Sequence, residues 1–581
     1  MPTLESVNTP ITVPLVIGVT SHRNIPAHEV EAIRQRVREF LAQLQRDFPA
    51  LPLVVLSALA QGGDQLVAEE ALAAGARVIA PLPLPRDLYL DDFSADAQAR
   101  FVALCQHAEV LPLPLLPGNT LESVATHGEA RNRQYAHAGV FIASHSHILL
   151  ALWDGRASDK FGGTAQIVRF HMDRILPGPI ERRHSHHVTL DSGDESLLYH
   201  IACSRADAAG ASQPPLPPLQ PLQARWVDDT DTHAAEAGMP GEFQRMFQRM
   251  QQFNDDAARY ADSMAAANDS PRDDRVDGRA ECVAVGGLFA AADWLAIHFQ
   301  KQVLLTMRSL YVLAALMGIA FVCYSDLPQN LPYVGDAIYL FVVLFAAGVL
   351  LAWLVRRRDW HRKYIDYRAL AEGLRVQGYW GCAGIETDEL GAFAHEDFMQ
   401  KQDIELGWIR NVMRVAGVNA VVATSATGVA KVIADWIGEP DGNGQLGYYT
   451  RKSEQRSRIH HATQRLSLIL LCAVIATSIL LALFNRWLDA DTTTLLVALM
   501  GVLAVIAAAR ESYAYRKADK ELINQYQYMR GIFASARRKL DATQNPDTRS
   551  DILRALGEAA LAEHAEWALM HRHRPLEHGK M

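Results

Sequence analysis

Four uncharged stretches in the C-terminal half, residues 309–324, 337–355, 466–484 and 492–509, limit this chain more than any other feature. A bilayer core of roughly 30 Å needs about 20 apolar residues in helical form; the second and third stretches run close to that, and the first and fourth are the weaker candidates. They fall into two pairs with short polar connectors, which predicts two helical hairpins and four crossings. Buried helices of a large soluble protein are the alternative, and the basic flanks of the stretches argue against it.

Those flanks also predict orientation, because Lys and Arg beside a span stay on the cytoplasmic side. Lys301 and Arg308 precede the first stretch, and Arg356, Arg357, Arg358, Arg362 and Lys363 follow the second. Arg458 and Arg465 precede the third, and Arg510, Arg516 and Lys517 follow the fourth. The connectors carry little positive charge: 325–336 has none, and 485–491 has only Arg486. Both termini and everything between the hairpins are therefore expected in the cytoplasm. The N-terminus does not read as a signal peptide, so targeting is expected from the internal spans.

A chain of 581 residues suggests three or four units, and its net charge of -9 argues against a nucleic-acid-binding surface. The six cysteines are scattered without a Cys-x-x-Cys pair, which fits packing residues in a reducing compartment and predicts neither zinc nor a disulfide framework.

Residues 11–205 alternate β-branched runs with helical periods, the pattern of a doubly wound parallel sheet of the Rossmann-like α/β class. ITVPLVIGVT, PLVVLSAL, ARVIAPLPL and HILLALW read as strands, and 29–47, 65–74 and 130–144 as helices. GVTSHRN, AQGGDQ and WDG followed by GGT would share the carboxyl edge of that sheet. Open α/β sheets bind ligands there, where glycines let backbone approach an anion and helix N-termini offer free N–H groups. Together the three loops point to a nucleotide or phosphosugar pocket, although a glycine pair after a strand is by itself often just a turn.

The succession GVTSHRN, SALAQGGDQLVAEEAL, GARVIAPLPLPRDLYLDDF, ARNRQYAHAGVFIA and HILLALWDG with GGTAQIV resembles the SLOG superfamily of Rossmann-like nucleotide-binding domains. That superfamily includes phosphoribohydrolases and sensors of nucleotide-derived messengers. The resemblance implies that Gly18, Thr20, Ser21, His22 and Arg23 form a first phosphate-facing loop, Gly62, Gly63 and Asp64 a second, and Asp154, Gly155, Gly162, Gly163 and Thr164 a third. The phosphoribohydrolases continue their glycine turn to a catalytic Glu, whereas Thr164 is followed here by Ala165-Gln166-Ile167-Val168. No catalytic residue is therefore assigned, and binding without hydrolysis is expected.

Arg86 and Asp87 at the third strand end, and Arg131 with Tyr135 one helical turn away, are further candidates to line the pocket; a solvated loop and ordinary helix packing are the alternatives. His184, His186 and His187 lie beside Arg182 and Arg183 with no cysteine nearby, so a solvated loop is expected there and no metal.

The proline-rich run 213–221 cannot be helix or central strand and reads as a spacer or loop excursion. Phe243, Met246, Phe247, Met250 and Phe253 recur at helical spacing, as a packed stripe does. WHRKYIDYRALAEGLRVQGYW after the second span is echoed by ESYAYRKADKELINQYQYMRGIFASARRKL after the fourth, which suggests a duplicated unit of hairpin plus helix. YRALAE with Leu374, Arg375 and Trp380, and the C-terminal LGEAALAEHAEWALMHRHRPLE, make this half similar to the SLATT group of membrane effectors. That resemblance implies pore formation in bacterial conflict systems, driven by a sensor. Thr477 and Ser478 are a mid-span polar pair, and Gly348 and Gly501 are candidate close-packing points.

The expected organisation is a nucleotide-binding domain at 1–210, a linker at 211–234, a helical stalk at 235–300, a first hairpin with its helix at 301–385, a connector at 386–460 and a second hairpin with C-terminal helices at 461–581. The expected partners are a small nucleotide-like ligand, the lipid bilayer and further copies of the chain, with no cofactor and no nucleic acid. A membrane-anchored nucleotide-processing enzyme and a non-catalytic membrane scaffold are the rival readings.

Overall fold

A computed structural model describes residues 12–158, 161–173, 196–206, 211–228, 231–268, 283–328, 331–385, 398–399, 404–416, 426–484, 486–516 and 519–572. The three histidines at 184, 186 and 187 lie outside them. The chain divides into two units, one formed mainly by the first 271 residues and one by most of the remainder.

The first unit alternates strands and helices in the order β1 (Leu15–Ser21), α1 (Val30–Asp47), β2 (Leu53–Leu56), α2 (Gly63–Ala73), β3 (Arg77–Leu82), α3 (Arg86–Leu90), α4 (Ala95–Cys105), β4 (Glu109–Pro112), α5 (Leu121–Ala125), α6 (Glu129–Ser144), β5 (Ile148–Trp153), α7 (Thr164–Asp173) and β6 (Leu197–Ala202). A two-residue pair, β7 (Arg205–Ala206) and β8 (Ser212–Gln213), precedes β9 (Ala224–Val227) and β10 (Thr232–Ala234); α8 (Gly241–Arg259) and α9 (Ala261–Asn268) follow. The main sheet has 8 strands in the order β10-β9-β6-β5-β1-β2-β3-β4, parallel except where β9 pairs with β6 and β10. The chain winds outward from β1 to β4 and then returns to place β5 on the other side of β1. The topological switch point therefore lies between β1 and β5.

Burial explains why these two strands are central. Every residue of β1 up to Thr20 is buried, and so are five of the six in β5, since both faces of a parallel sheet are covered by helices. On α1, Ile33, Val37, Phe40, Leu41 and Leu44 form the buried stripe, and Phe40 stacks on Tyr199 of β6 at 4.2 Å. Prolines keep 214–221 out of the sheet, but residues 224–234, read from sequence as spacer, extend it by two antiparallel strands. Trp226 of β9 is fully buried against Phe40 and Tyr199. The stripe on α8 is likewise core: Phe247 meets Phe48 edge-on at 5.6 Å, and Asn254 bonds Val13 and Ala50.

The remaining helices are α10 (Val283–Asp326), α11 (Ala337–Arg358), α12 (Trp360–Ala383), α13 (Gly407–Ala416), α14 (Ala426–Val432), α15 (Gly444–Phe484), α16 (Ala490–Arg516), α17 (Asp519–Ala542) and α18 (Pro546–Arg572). All but α13 and the first residues of α10 belong to the second unit. The four apolar stretches fall inside α10, α11, α15 and α16, and all four helices are long and apolar enough to cross a membrane. Val343, Phe345 and Leu350 of α11 and Leu468, Ile469 and Leu483 of α15 are exposed, a surface that water would penalise and lipid would cover. The protein is an integral membrane protein with an α/β unit in front of four spans.

Small residues set the packing of the spans. A Cβ on Gly318 of α10 would lie 2.7 Å from Val505 of α16, and one on Gly501 of α16 would lie 3.0 Å from Val322. Gly348, also a candidate packing point, has no atom within 4 Å of such a Cβ. Thr477 and Ser478 turn their hydroxyls onto Ala473 and Val474, the carbonyls one turn back. Each hairpin is followed by a helix of 24 residues, α12 and α17, in keeping with the echo in the sequence.

Candidate functional site

The carboxyl ends of β1, β2 and β5 are tied together by the residues that the sequence singles out. Ser21 closes β1, and its hydroxyl donates to Asp64 Oδ1 at 2.5 Å. The next residue, His22, continues the ladder by donating its N–H to Leu152 O, and its own carbonyl accepts from Gly63 N at 3.2 Å. His22 Nε2 lies 3.1 Å from both Oδ1 and the backbone N of Asp154, directly after β5. From α7, Thr164 Oγ1 donates to Ser21 O at 2.8 Å. Ser21, His22, Asp64, Asp154 and Thr164 thus come together at the switch point.

The glycines here allow close approaches of the chain. Gly62 has φ 102, and a Cβ on it would lie 2.2 Å from Arg23 O. A Cβ on Gly63 would lie 2.6 Å from Ser21 Cβ and 2.8 Å from Leu152. These two therefore seal α2 against the end of β1, and the Asp64 carboxyl in the first turn of α2 already occupies the place an anion would take. Two glycines of the third loop are crowded as well: a Cβ on Gly155 would lie 2.6 Å from Leu219, and one on Gly162 would lie 2.9 Å from Ala136 N. Gly155 and Gly162 have φ 74 and 71, and Gly162 N donates to Gln166 Oε1 at 2.8 Å. The N–H groups of Gly163, Thr164 and Ala165 at the start of α7 have no hydrogen-bond partner among the described residues. A helix start with free N–H groups favours an anion.

Other candidates fall elsewhere. Gly18 sits in mid-strand, not in a loop, paired with Leu56 and Leu149, and a Cβ there would strike Ser146 Oγ at 2.7 Å. It lets the chain after α6 lie on β1. Thr20 is buried inside β1 beside Ala151. Arg131 is buried and fully engaged with Asp92 at 3.0 Å and with the carbonyls of Val124 and Leu88, so it fastens the 88–124 excursion to α6. Arg86 begins α3 in an exposed position, with Asp87 exposed beside it. Arg23 is exposed, with its guanidinium 5.4 Å from the centre of the Tyr135 ring, while the Tyr135 hydroxyl bonds Asp92. Sequence reasoning missed Gln166, which caps the turn where a catalytic Glu was sought, and His200 of β6, which bonds Trp153 O at 2.9 Å. Neither carries a local signature, because each acts through a partner brought up by the fold.

The electrostatics are mixed. Burial pushes Asp64 up to about 6, against the Ser21 hydroxyl, the Arg23 charge and the Ala60 N–H. Burial also disfavours the charge on Asp154, but hydrogen bonds from His22 and the Arg156 N–H more than offset it and hold that carboxyl below its ordinary value. Burial lowers His200 to about 4, so it is neutral. No group of three or more His, Cys, Asp or Glu suited to a metal occurs among the described residues.

Neither a family model, nor a curated protein, nor a solved structure matches the chain.

Proposed function

We propose that the α/β unit is a SLOG-like sensor for a nucleotide or nucleotide-derived signal, and that it gates or assembles a pore of SLATT-like type formed by the four spans. The observation that carries the reading is the N-terminus of α7 at the β1/β5 switch point, where Thr164 bonds Ser21, the residue directly before His22 and Arg23. A phosphate placed there would accept from the N–H groups of Gly163 to Ala165 and face the Arg23 cation, with the Tyr135 ring next to it. In this reading the sensor and both termini are cytoplasmic, the membrane is a bacterial inner membrane, several copies assemble, and the context is conflict defence. The absence of acidic or basic residues within the apolar stretches suits a pore better than an ion-coupled carrier.

The test is leakage of dye from liposomes holding the purified full chain, on addition of AMP, ADP, ATP and cyclic AMP in turn. Ligand-dependent leakage supports the reading, and binding without leakage removes the pore. A second reading, a membrane-tethered hydrolase, draws on Asp64, whose carboxyl is poised to exchange a proton near neutrality. Free base released from the same nucleotides would favour it.

A further inference from the structure

Part of the chain between the two hairpins is built into the sheet unit. The described residues 385, 398–399 and 404–416 group with the α/β unit, although α12 before them and α14 after them belong to the helical one. Within this strap, Trp408, Ile409, Val412 and Met413 of α13 are buried. Glu405, just ahead of α13, pairs with Arg245 at 2.8 Å and Arg249 at 3.3 Å on α8, and Trp408 faces Phe253.

His147 fastens the strap to the two central strands. It directly precedes β5, and its N–H donates to Val16 O of β1 at 2.9 Å. Val16 N donates back to His147 Nδ1 at 3.1 Å, and Nε2 lies 3.0 Å from Asn411 O of α13. Burial lowers this imidazole to about 3, so it is neutral. With Nδ1 accepting from Val16, the single ring proton must sit on Nε2 and be donated to Asn411. Arg414 adds a longer contact to Ser146 O at 3.4 Å. The same two strands carry Ser21, His22 and Asp154 at their other ends, roughly 17 Å away at 3.3 Å per residue.

We propose that docking of the strap 404–416 and the conformation of the loops at the switch point form one linked equilibrium, with β1, β5 and His147 as the connection. The strap is then the route by which occupancy of the site reaches the chain between the hairpins. That last step rests on the sensor reading above, whereas the linkage itself does not. Linkage is reciprocal, so loosening the strap must loosen the loops.

Hydrogen–deuterium exchange on the full chain in lipid nanodiscs tests this without any ligand. Trp408→Ala combined with Val412→Ala is expected to speed exchange about tenfold at 407–416 and also at 20–24 and 162–166, leaving 77–82 and 95–105 unchanged. Faster exchange of the strap with the loops unaltered overturns the proposal, as does uniform acceleration across the unit in both this variant and Glu405→Ala. The milder Glu405→Ala removes the pairs to Arg245 and Arg249 and leaves the apolar residues of α13 in place, and it decides the matter if the double variant does not fold. With AMP added to the wild type, protection of the loops together with 407–416 supports the linkage, and protection of the loops alone overturns it. No protection by AMP, ADP or ATP counts against the nucleotide reading, while the two variants still decide the linkage.

Discussion

The Ser21 hydroxyl and the Asp64 carboxyl lie 2.5 Å apart, which locks the end of β1 to the first turn of α2. A carboxyl in that first turn is favourable to the helix, but burial makes its ionised form costly. Its folded value of about 6 lies above the usual 3.8, so the folded state holds the proton more tightly. Stability from this group is complete below pH 3.8 and is lost as pH rises through about 6. Asp64→Asn, which keeps an acceptor for Ser21, should remove that slope and stabilise the protein at pH 7.5 by at most about 3 kcal/mol. Thermal unfolding followed between pH 4 and pH 8 checks it, and an unchanged slope would refute the assignment.

Arg23 is exposed and rests on Tyr135. Arg23→Glu should leave stability within about 0.5 kcal/mol, as for most surface changes, yet weaken binding of a phosphorylated probe by about tenfold or more. Titration of wild type and variant with the nucleotide that induces leakage separates the two effects. Gly63→Arg, by contrast, should unfold the unit, because its side chain would start inside Ser21 and Leu152.

Glu563 on α18 is pushed up to about 8 by burial first and then by the carboxylates of Glu372 and Glu566. Arg368 stands nearby, but it already pairs with Glu372 and Asp293. Stability from Glu563 is therefore full below its ordinary 4.5 and falls as pH rises through about 8. Glu563→Gln should flatten that fall and raise stability at pH 8 by about 2 to 4 kcal/mol, measured by thermal unfolding in detergent. A variant with the wild-type pH profile would place the proton elsewhere.

Gly318 lets α10 approach Val505 of α16. Gly318→Leu should force these helices apart and destabilise the helical unit by about 1 to 3 kcal/mol, while Gly348→Leu, with open space around it, should change stability by less than about 0.5 kcal/mol. Melting temperatures of the two variants in the same detergent give the comparison. Equal losses would count against the α10–α16 contact.

Much of the first unit was legible because its strands and helices are written in local periods. The runs around Val16, Val55, Ile79 and Leu150 could only be buried strands, and the stripe from Ile33 to Leu44 only a helix face. The site was half legible. Ser21, His22, Asp64, Asp154 and Thr164 meet as the loop pattern implies, but Gly18, Gly63 and Arg131 serve packing, and nothing local distinguishes a glycine that admits a ligand from one that admits a neighbouring helix. The strands at 224–234 and the strap at 404–416 escaped for the same reason. Trp226 and Trp408 look like any isolated aromatic until Phe40 and Phe253 are set against them.

By itself the sequence determined that this chain enters a membrane and carries a parallel sheet, since both follow from how apolar residues are spaced along a few tens of positions. Which residues share the sheet, which helix starts stay open, and where the segment between the hairpins docks were decided only by the tertiary structure. Those outcomes depend on pairs such as His147 and Asn411, far apart in the chain, whose buried polar atoms must find each other to offset the loss of water.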